Sequence, residues 1–244
     1  MTTTIGTGHA VLVAHQPAYL PWCGYFSRLL DVPRMVILDH VQFSERGYQH
    51  RNRIPDRTGT PRWLTVPVRR RFGQPLHDVQ IADPAWAARH WRILTNTYAK
   101  ARFWPDYAEQ LGALLATPWT MLVDLDLAVT RLLLDALGIH TTLVRSSTIR
   151  PAGTRTAMLV DLCRRTGDRV LRVGIGALTY LDRTALHQAG ITVEVAAYTH
   201  PPVAGGNAGP ATPALSVIDL LAHHGPAARD ILATGSTITA WPTT

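Results

Sequence analysis

The side chains best suited to chemistry gather where apolar runs end. His15 and Gln16 follow Val11-Leu12-Val13-Ala14, and Asp39 closes Met35-Val36-Ile37-Leu38. Gln42, Arg51, Asn52 and Arg53 come soon after. A histidine with an ordinary pKa can serve as a general base near neutral pH. Gln16 can donate and accept through one amide, which suits holding a substrate carbonyl or amide. A carboxylate at the end of a buried strand is costly without a partner. Asp39 therefore has two readings. It pairs with a nearby arginine and fixes a loop, or it acts as base or substrate anchor while Gln42, Arg51, Asn52 and Arg53 hold a phosphate or carboxylate. His200, just before Pro201 at the end of a later apolar run, is a third candidate base. It can meet His15 and Asp39 if their strands are neighbours.

Other residues invite narrower readings. Tyr19, Trp22, Tyr25 and Phe26 crowd the turn after His15. Aromatics at this spacing usually build core, but Tyr19 sits where a substrate contact is also expected. Cys23 falls at a helix start, where a thiol pKa drops; with Gln16, His200 and Asp219 it mimics the residue order of papain-like enzymes. Ser146-Ser147-Thr148-Ile149-Arg150 is similar to the serine loop of nucleotidyltransferases, with His15 as half of an HxGH-type motif whose second histidine is missing. Val173-Gly174-Ile175-Gly176-Ala177 follows an apolar run and could bring backbone amides to an anion, although a plain tight turn also accounts for it. The histidines are scattered without ligand spacing, so no metal is expected. Neither a Gly-x-Gly-x-x-Gly nor a Walker-type loop is present, and no cofactor is expected. Lys100 is the sole lysine, which leaves Schiff-base chemistry almost no candidate.

The net charge of +7 is uneven. Ser44 to Phe72 holds eight arginines (46, 51, 53, 57, 62, 69, 70 and 71) against Glu45 and Asp56, nearly the whole excess. Arginine forks match phosphate and carboxylate. Arg51 and Arg53, bracketing Asn52, are expected to grip substrate; Arg57, Arg62 and Arg69 to Arg71 serve equally well as solvated cations. Cys23 and Cys163 make neither a disulfide framework nor a metal cluster. Met1 to Ala10 lacks a basic stretch leading into an apolar one, and no apolar run approaches the roughly 20 residues of a membrane span. A cytoplasmic protein with no membrane contact is the expectation.

The elements that must position these groups alternate. Strands are predicted at 10–14, 35–39, 62–68, 141–146, 169–173 and 192–198. Helices are predicted at about 23–31, 85–101, 105–116, 119–137, 155–166, 178–189 and 215–223. Gly138 should end the fourth of these helices, and Thr154 should cap the fifth. From Leu137 onward the order is strand, helix, strand, helix, strand, which argues for parallel pairing with covering helices. The expected fold is α/β and three-layered, with a mostly parallel sheet, flanking helices and a helical insertion or lid at about 84–137. At 244 residues and 46% hydrophobic the chain can form one domain over its whole length. Residues 201–214, rich in proline, glycine and alanine, have the composition of a mobile loop.

Gln16-Pro17-x-x-x-Pro21-x-x-Gly24-Tyr25-Phe26, Asp39-x-Val41-Gln42-Phe43, Arg51-Asn52-Arg53-Ile54 and Trp63-Leu64-Thr65-Val66-Pro67-Val68 together resemble the WbqC-like protein family. Weaker echoes run to Leu215-Ser216 and Asp219-Leu220-Leu221, so the likeness covers roughly residues 11–232. The resemblance implies biosynthesis of surface polysaccharide or a specialised metabolite. His40 stands where the family usually has an acid, Cys23 where an aliphatic residue is common, and Val203 to Ala208 where bulky and amide residues follow the His-Pro pair. Base candidates, amide anchors and a cationic rim point to transfer of an acyl or aminoacyl group to an amine or hydroxyl acceptor. The expected substrate is anionic, free or carrier-bound; a carrier protein or aminoacyl-tRNA would suit the arginines. The alternatives are a non-catalytic basic protein docking an acidic carrier protein or RNA, and a nucleotidyltransferase-like or Cys-His enzyme. Oligomeric state is not legible.

Overall fold

The computed structural model describes residues 11–202 and 215–241. Its strands are β1 (Val11–His15), β2 (Arg34–Ile37), β3 (Arg51–Pro55), β4 (Pro61–Thr65), β5 (Val68–Arg69), β6 (Gln80–Ile81), β7 (Thr142–Arg145), β8 (Val170–Gly174), β9 (Thr192–Tyr198) and β10 (Ser236–Ala240). Its helices are α1 (Cys23–Ser27), α2 (Trp86–Tyr98), α3 (Trp104–Ala116), α4 (Leu122–Ala136), α5 (Ser146–Ile149), α6 (Arg155–Thr166), α7 (Arg183–Gln188), α8 (Val217–His224) and α9 (Ala228–Gly235).

Six strands form the main sheet in the order β10-β9-β8-β1-β2-β7. All neighbours are parallel except β10, which runs antiparallel to β9. Apolar runs buried on both faces are what parallel strands require. In β1, Leu12 and Val13 are fully buried on opposite faces. Leu12 joins Val36, Leu171 and Val193 under α6 and α7, while Val13 joins Met35 and Ile37 under α1 and α8. The result is the expected three-layer α/β arrangement.

The chain leaves β1 towards β2 and β7, then crosses back to the other side of β1 for β8, β9 and β10. Counted along the sheet, the six strands follow the 3-2-1-4-5-6 order of doubly wound folds. Such a sheet opens a crevice where the direction of winding reverses, beyond the carboxyl ends of the two central strands. Here those ends are His15 of β1 and Gly174 of β8. The same edge receives Asp39 after β2, Ser146 after β7 and His200 after β9.

The helical segment at 84–137 becomes α2, α3 and α4. Trp86, Leu94, Tyr98, Leu111 and Leu125 belong to the same apolar cluster as Val13 and Met35. These helices therefore share the core of the sheet's face. Gly138 ends α4 with φ +62, as a left-handed stop requires. Thr154 occupies the N-cap position of α6, but its hydroxyl makes no capping bond. The strand foreseen at 62–68 stops at Thr65, and Val68 continues in the separate pair β5–β6. Sequence periodicity also passes over β3 and β10. The polar, charged face of β3 conceals its inward Asn52 and Ile54; β10 is an edge strand held by its ladder to β9, with little burial. Residues 1–10 and 203–214, on which the expectations about a leader and a mobile loop fall, lie outside the described residues.

Candidate functional site

Asp39 is fully buried and every oxygen of its carboxylate is engaged. Oδ1 accepts from Ser146 Oγ at 3.0 Å and Ser147 N at 2.8 Å; Oδ2 accepts from Ser147 Oγ at 2.7 Å and Arg145 Nε at 2.6 Å. Burial alone would raise its pKa, but the bonds from Ser147, Arg145 and Ser146 outweigh that and hold it below the usual carboxylate range. Ser146 Oγ also accepts from the Asp39 amide and lies 2.5 Å from His40 Nδ1. With its one proton given to Asp39, the hydroxyl can only accept from the ring, so His40 carries its proton on Nδ1. Arg145 reaches Asp124 as well, at 3.1 Å. The partner of Asp39 thus comes from β7, more than a hundred residues away, and not from the arginines at 46–71. The group ties the β2 and β7 ends together and leaves no free carboxylate oxygen for a substrate.

Asn52 is equally committed. Its Nδ2 donates to Leu20 O at 2.7 Å, and its Oδ1 accepts from Arg53 N at 2.8 Å. Leu20 has φ +44, a strained value for a branched side chain, in the turn between β1 and α1. The turn is also held where Val217 N donates to Pro21 O and Ser216 N to Arg53 O. Asn52→Ala should therefore cost about 1–3 kcal/mol in urea denaturation by freeing a buried carbonyl. An unchanged midpoint would mean that the turn holds itself.

The other anticipated contacts scatter. Gln16 Oε1 accepts from Gln49 Nε2 at 2.6 Å. Tyr19 is fully buried, with its hydroxyl 2.9 Å from His90 Nδ1 and its ring edge-on to Trp86. Arg51 and Arg53 lie over the half-exposed Trp63 ring, 4.4 and 5.2 Å from its centroid. Gln42 lines a surface hollow of about 570 Å³ with Arg70, Arg71 and the fully exposed Phe72. His200 Nδ1 donates to Pro201 O at 2.8 Å. Its Nε2 is buried without a partner among the described residues. Cys23 is buried beside Tyr198 and Asp219, and burial pushes its thiol up to about 12. It remains a thiol in neutral solution. Among the described residues no three His, Cys, Asp or Glu side chains converge as a metal site. No helix among them is long and apolar enough to cross a membrane.

His15 alone of the three base candidates lines the crevice between β1 and β8. There a cavity of about 290 Å³ is bounded by Ala14, His15, Arg28, Leu38, Arg155, Met158, Leu159, Leu171, Val173, Gly174, Gly176, Ala177 and Tyr180. His15 Nδ1 donates to Gln16 O at 2.8 Å, which leaves the Nε2 lone pair open in the neutral ring. Burial and the nearby Arg28 cation lower its pKa to about 4. The ring rests edge-on against Tyr25, with centroids 5.0 Å apart.

Arg28 reaches this place from just beyond α1. Its Nε donates to Gly24 O at 3.0 Å, and Arg172, paired with Glu194 at 2.8 Å, binds the carbonyls of Arg28 and Leu30. A Cβ on Gly174 would come within 3.0 Å of Arg28 Nη2, so the bare backbone of β8 leaves room for the guanidinium. Arg155 begins α6 with φ +49, another strained non-glycine position. Arg28, Arg155 and Tyr180 were not anticipated from sequence. Besides His15 itself, Gly174-Ile175-Gly176 after an apolar strand pointed to the place.

The model of the WbqC-like protein family matches residues 16–231. "Uncharacterized protein Rv1507c" of Mycobacterium tuberculosis is 31% identical over 224 residues, covering 89% of this chain and 95% of that protein. No solved structure matches.

Proposed function

We propose, from the fact that this chain belongs to the WbqC-like protein family and from the cavity at its winding reversal, that it is a biosynthetic group-transfer enzyme. The reaction is transfer of an acyl or aminoacyl group to an amine or hydroxyl acceptor in polysaccharide or specialised-metabolite biosynthesis. His15 is the base. Its neutral imidazole, fixed in one tautomer and facing a cavity at the carboxyl edge of the sheet, is the observation that carries this reading. As the acceptor nitrogen or oxygen attacks the donor carbonyl, Nε2 takes its proton and then returns it to the departing group. The new acyl bond forms as the bond to the leaving thiol or ester oxygen breaks. Arg28 and Arg155 favour an anionic substrate, and the arginine-rich β3–β4 hairpin suits a carrier protein or aminoacyl-tRNA outside the cavity.

Nucleotidyl transfer has less support, because the Ser146 and Ser147 hydroxyls are both taken by Asp39. A non-catalytic docking role leaves the cavity unexplained. The test incubates the protein with acyl thioesters or aminoacyl-tRNA and a panel of amino sugars and amines, read by mass. An acylated acceptor with free thiol or uncharged tRNA is expected. Pyrophosphate release from a nucleoside triphosphate, without acylation, would overturn the reading.

A further inference from the structure

We propose that the cavity between the β1 and β8 ends is a phosphate subsite, in which Arg28 and Arg155 grip a phosphoryl group that anchors the substrate beside His15. The proposal rests on the reading of this cavity as the reaction site and names what that site binds.

Two guanidinium-bearing residues line the cavity, and none of the lining residues is acidic. Arg28 is held by its Nε alone; among the described residues no oxygen accepts from its terminal nitrogens. Arg155 has no acidic partner among them either, and it keeps a strained backbone at the cavity wall. Arg155 is exposed and solvated, but Arg28 is partly buried, and a partly buried cation without a counter-ion is costly, so an anionic ligand beside Arg28 would relieve the fold as well as bind. One planar fork satisfies both oxygens of a carboxylate. Two forks exceed that need and suit a group with three free oxygens and up to two charges. Gly176 adds open backbone, since a Cβ there would meet nothing within 4 Å. Tyr180, about half exposed, adds a phenol at the mouth.

At about 290 Å³ the space is at the lower limit of ligand cavities. It admits the phosphoryl group and the few atoms nearest it, and leaves a larger carrier outside. The phosphate could belong to a sugar phosphate or to a phosphopantetheine arm; the shared chemistry is the same.

Calorimetric titration of the whole protein with inorganic phosphate, at constant ionic strength against chloride, tests the proposal. Binding to the wild type is expected, with affinity lowered about tenfold or more in Arg155→Ala and in Arg28→Lys, which keeps the charge but loses the fork. Circular dichroism confirms that each variant is folded. A sugar 1-phosphate and 4′-phosphopantetheine form separate arms. Either one binding more tightly than its dephosphorylated counterpart supports the subsite and identifies the source. Absence of phosphate binding to wild type, or equal binding by both variants, overturns it. His15→Gln should keep phosphate affinity while losing turnover. Turnover without phosphate binding sinks the subsite alone, and phosphate binding with turnover intact in His15→Gln sinks the catalytic reading alone.

Discussion

His15→Gln should lower turnover by about 10²- to 10⁴-fold, the range for removing a positioned base. Glutamine has nearly the reach of imidazole and keeps hydrogen-bonding groups, but it has no lone pair able to take a proton at neutral pH. The fold should survive, because the ring makes one short bond to its own neighbour's carbonyl and an edge contact to Tyr25. The pH profile gives a second reading. With a pKa of about 4, His15 is already neutral well below pH 6.5, so kcat/KM should stay flat through mild acid and fall only near pH 4. Because Arg28 helps to lower that pKa, Arg28→Leu should move the acidic limb upwards. An acidic limb near pH 6.5 in wild type would mean that another group is the base.

The same shift has a consequence for stability. A histidine with a lowered folded pKa contributes stability that is fully present above the unfolded value of about 6.5. That contribution is lost as pH falls towards 4, since the unfolded chain takes the proton first. His50 and His90 behave in the same direction, each buried and lowered to about 4. Wild type should therefore become easier to denature between pH 6.5 and 4. His15→Gln should show a shallower decline, which circular dichroism separates from the loss of turnover.

Asp39→Ala should destabilise the protein by about 3–5 kcal/mol, the range for breaking a buried ion pair from one side. For a chain of this size that lowers the melting temperature by roughly 6–20 °C. The loss exceeds the Coulombic attraction to Arg145, because Ser146 Oγ, Ser147 Oγ and Ser147 N each lose their acceptor as well. The carboxylate's stabilisation is present above its ordinary pKa and disappears as pH falls through the lowered folded value. A cycle of Asp39→Ala with Arg145→Met, read by urea denaturation, should show strong coupling between positions that are distant in sequence. A variant that melts like wild type yet forms no product would return Asp39 to the catalytic machinery.

Much of the architecture is legible in the chain itself. Val11 to Ala14 and Met35 to Leu38 are apolar on consecutive positions, the pattern of strands buried on both faces. Leu122, Leu125, Val129 and Leu133 repeat at helical spacing, and they line one side of α4 in the core. Polar residues directly after such runs must lie along the carboxyl edge of a parallel sheet, which is where His15, Asp39 and His200 are found. The family motifs are local strings, so they too can be read without a structure.

Which of those edge residues shares a cavity was decided by strand order, and strand order is a tertiary matter. Placing β7 beside β2 brings Arg145, Ser146 and Ser147 onto Asp39 and closes that carboxylate off. Placing β8 beside β1 opens the winding reversal at His15 and sets Gly174 against Arg28. A hydrogen bond between residues a hundred positions apart leaves no mark in local periodicity, because each partner alone is simply a polar residue at the end of a run. The sequence determined that these groups stand on one edge; only the packing of the sheet chose which are satisfied by protein and which remain open to a ligand.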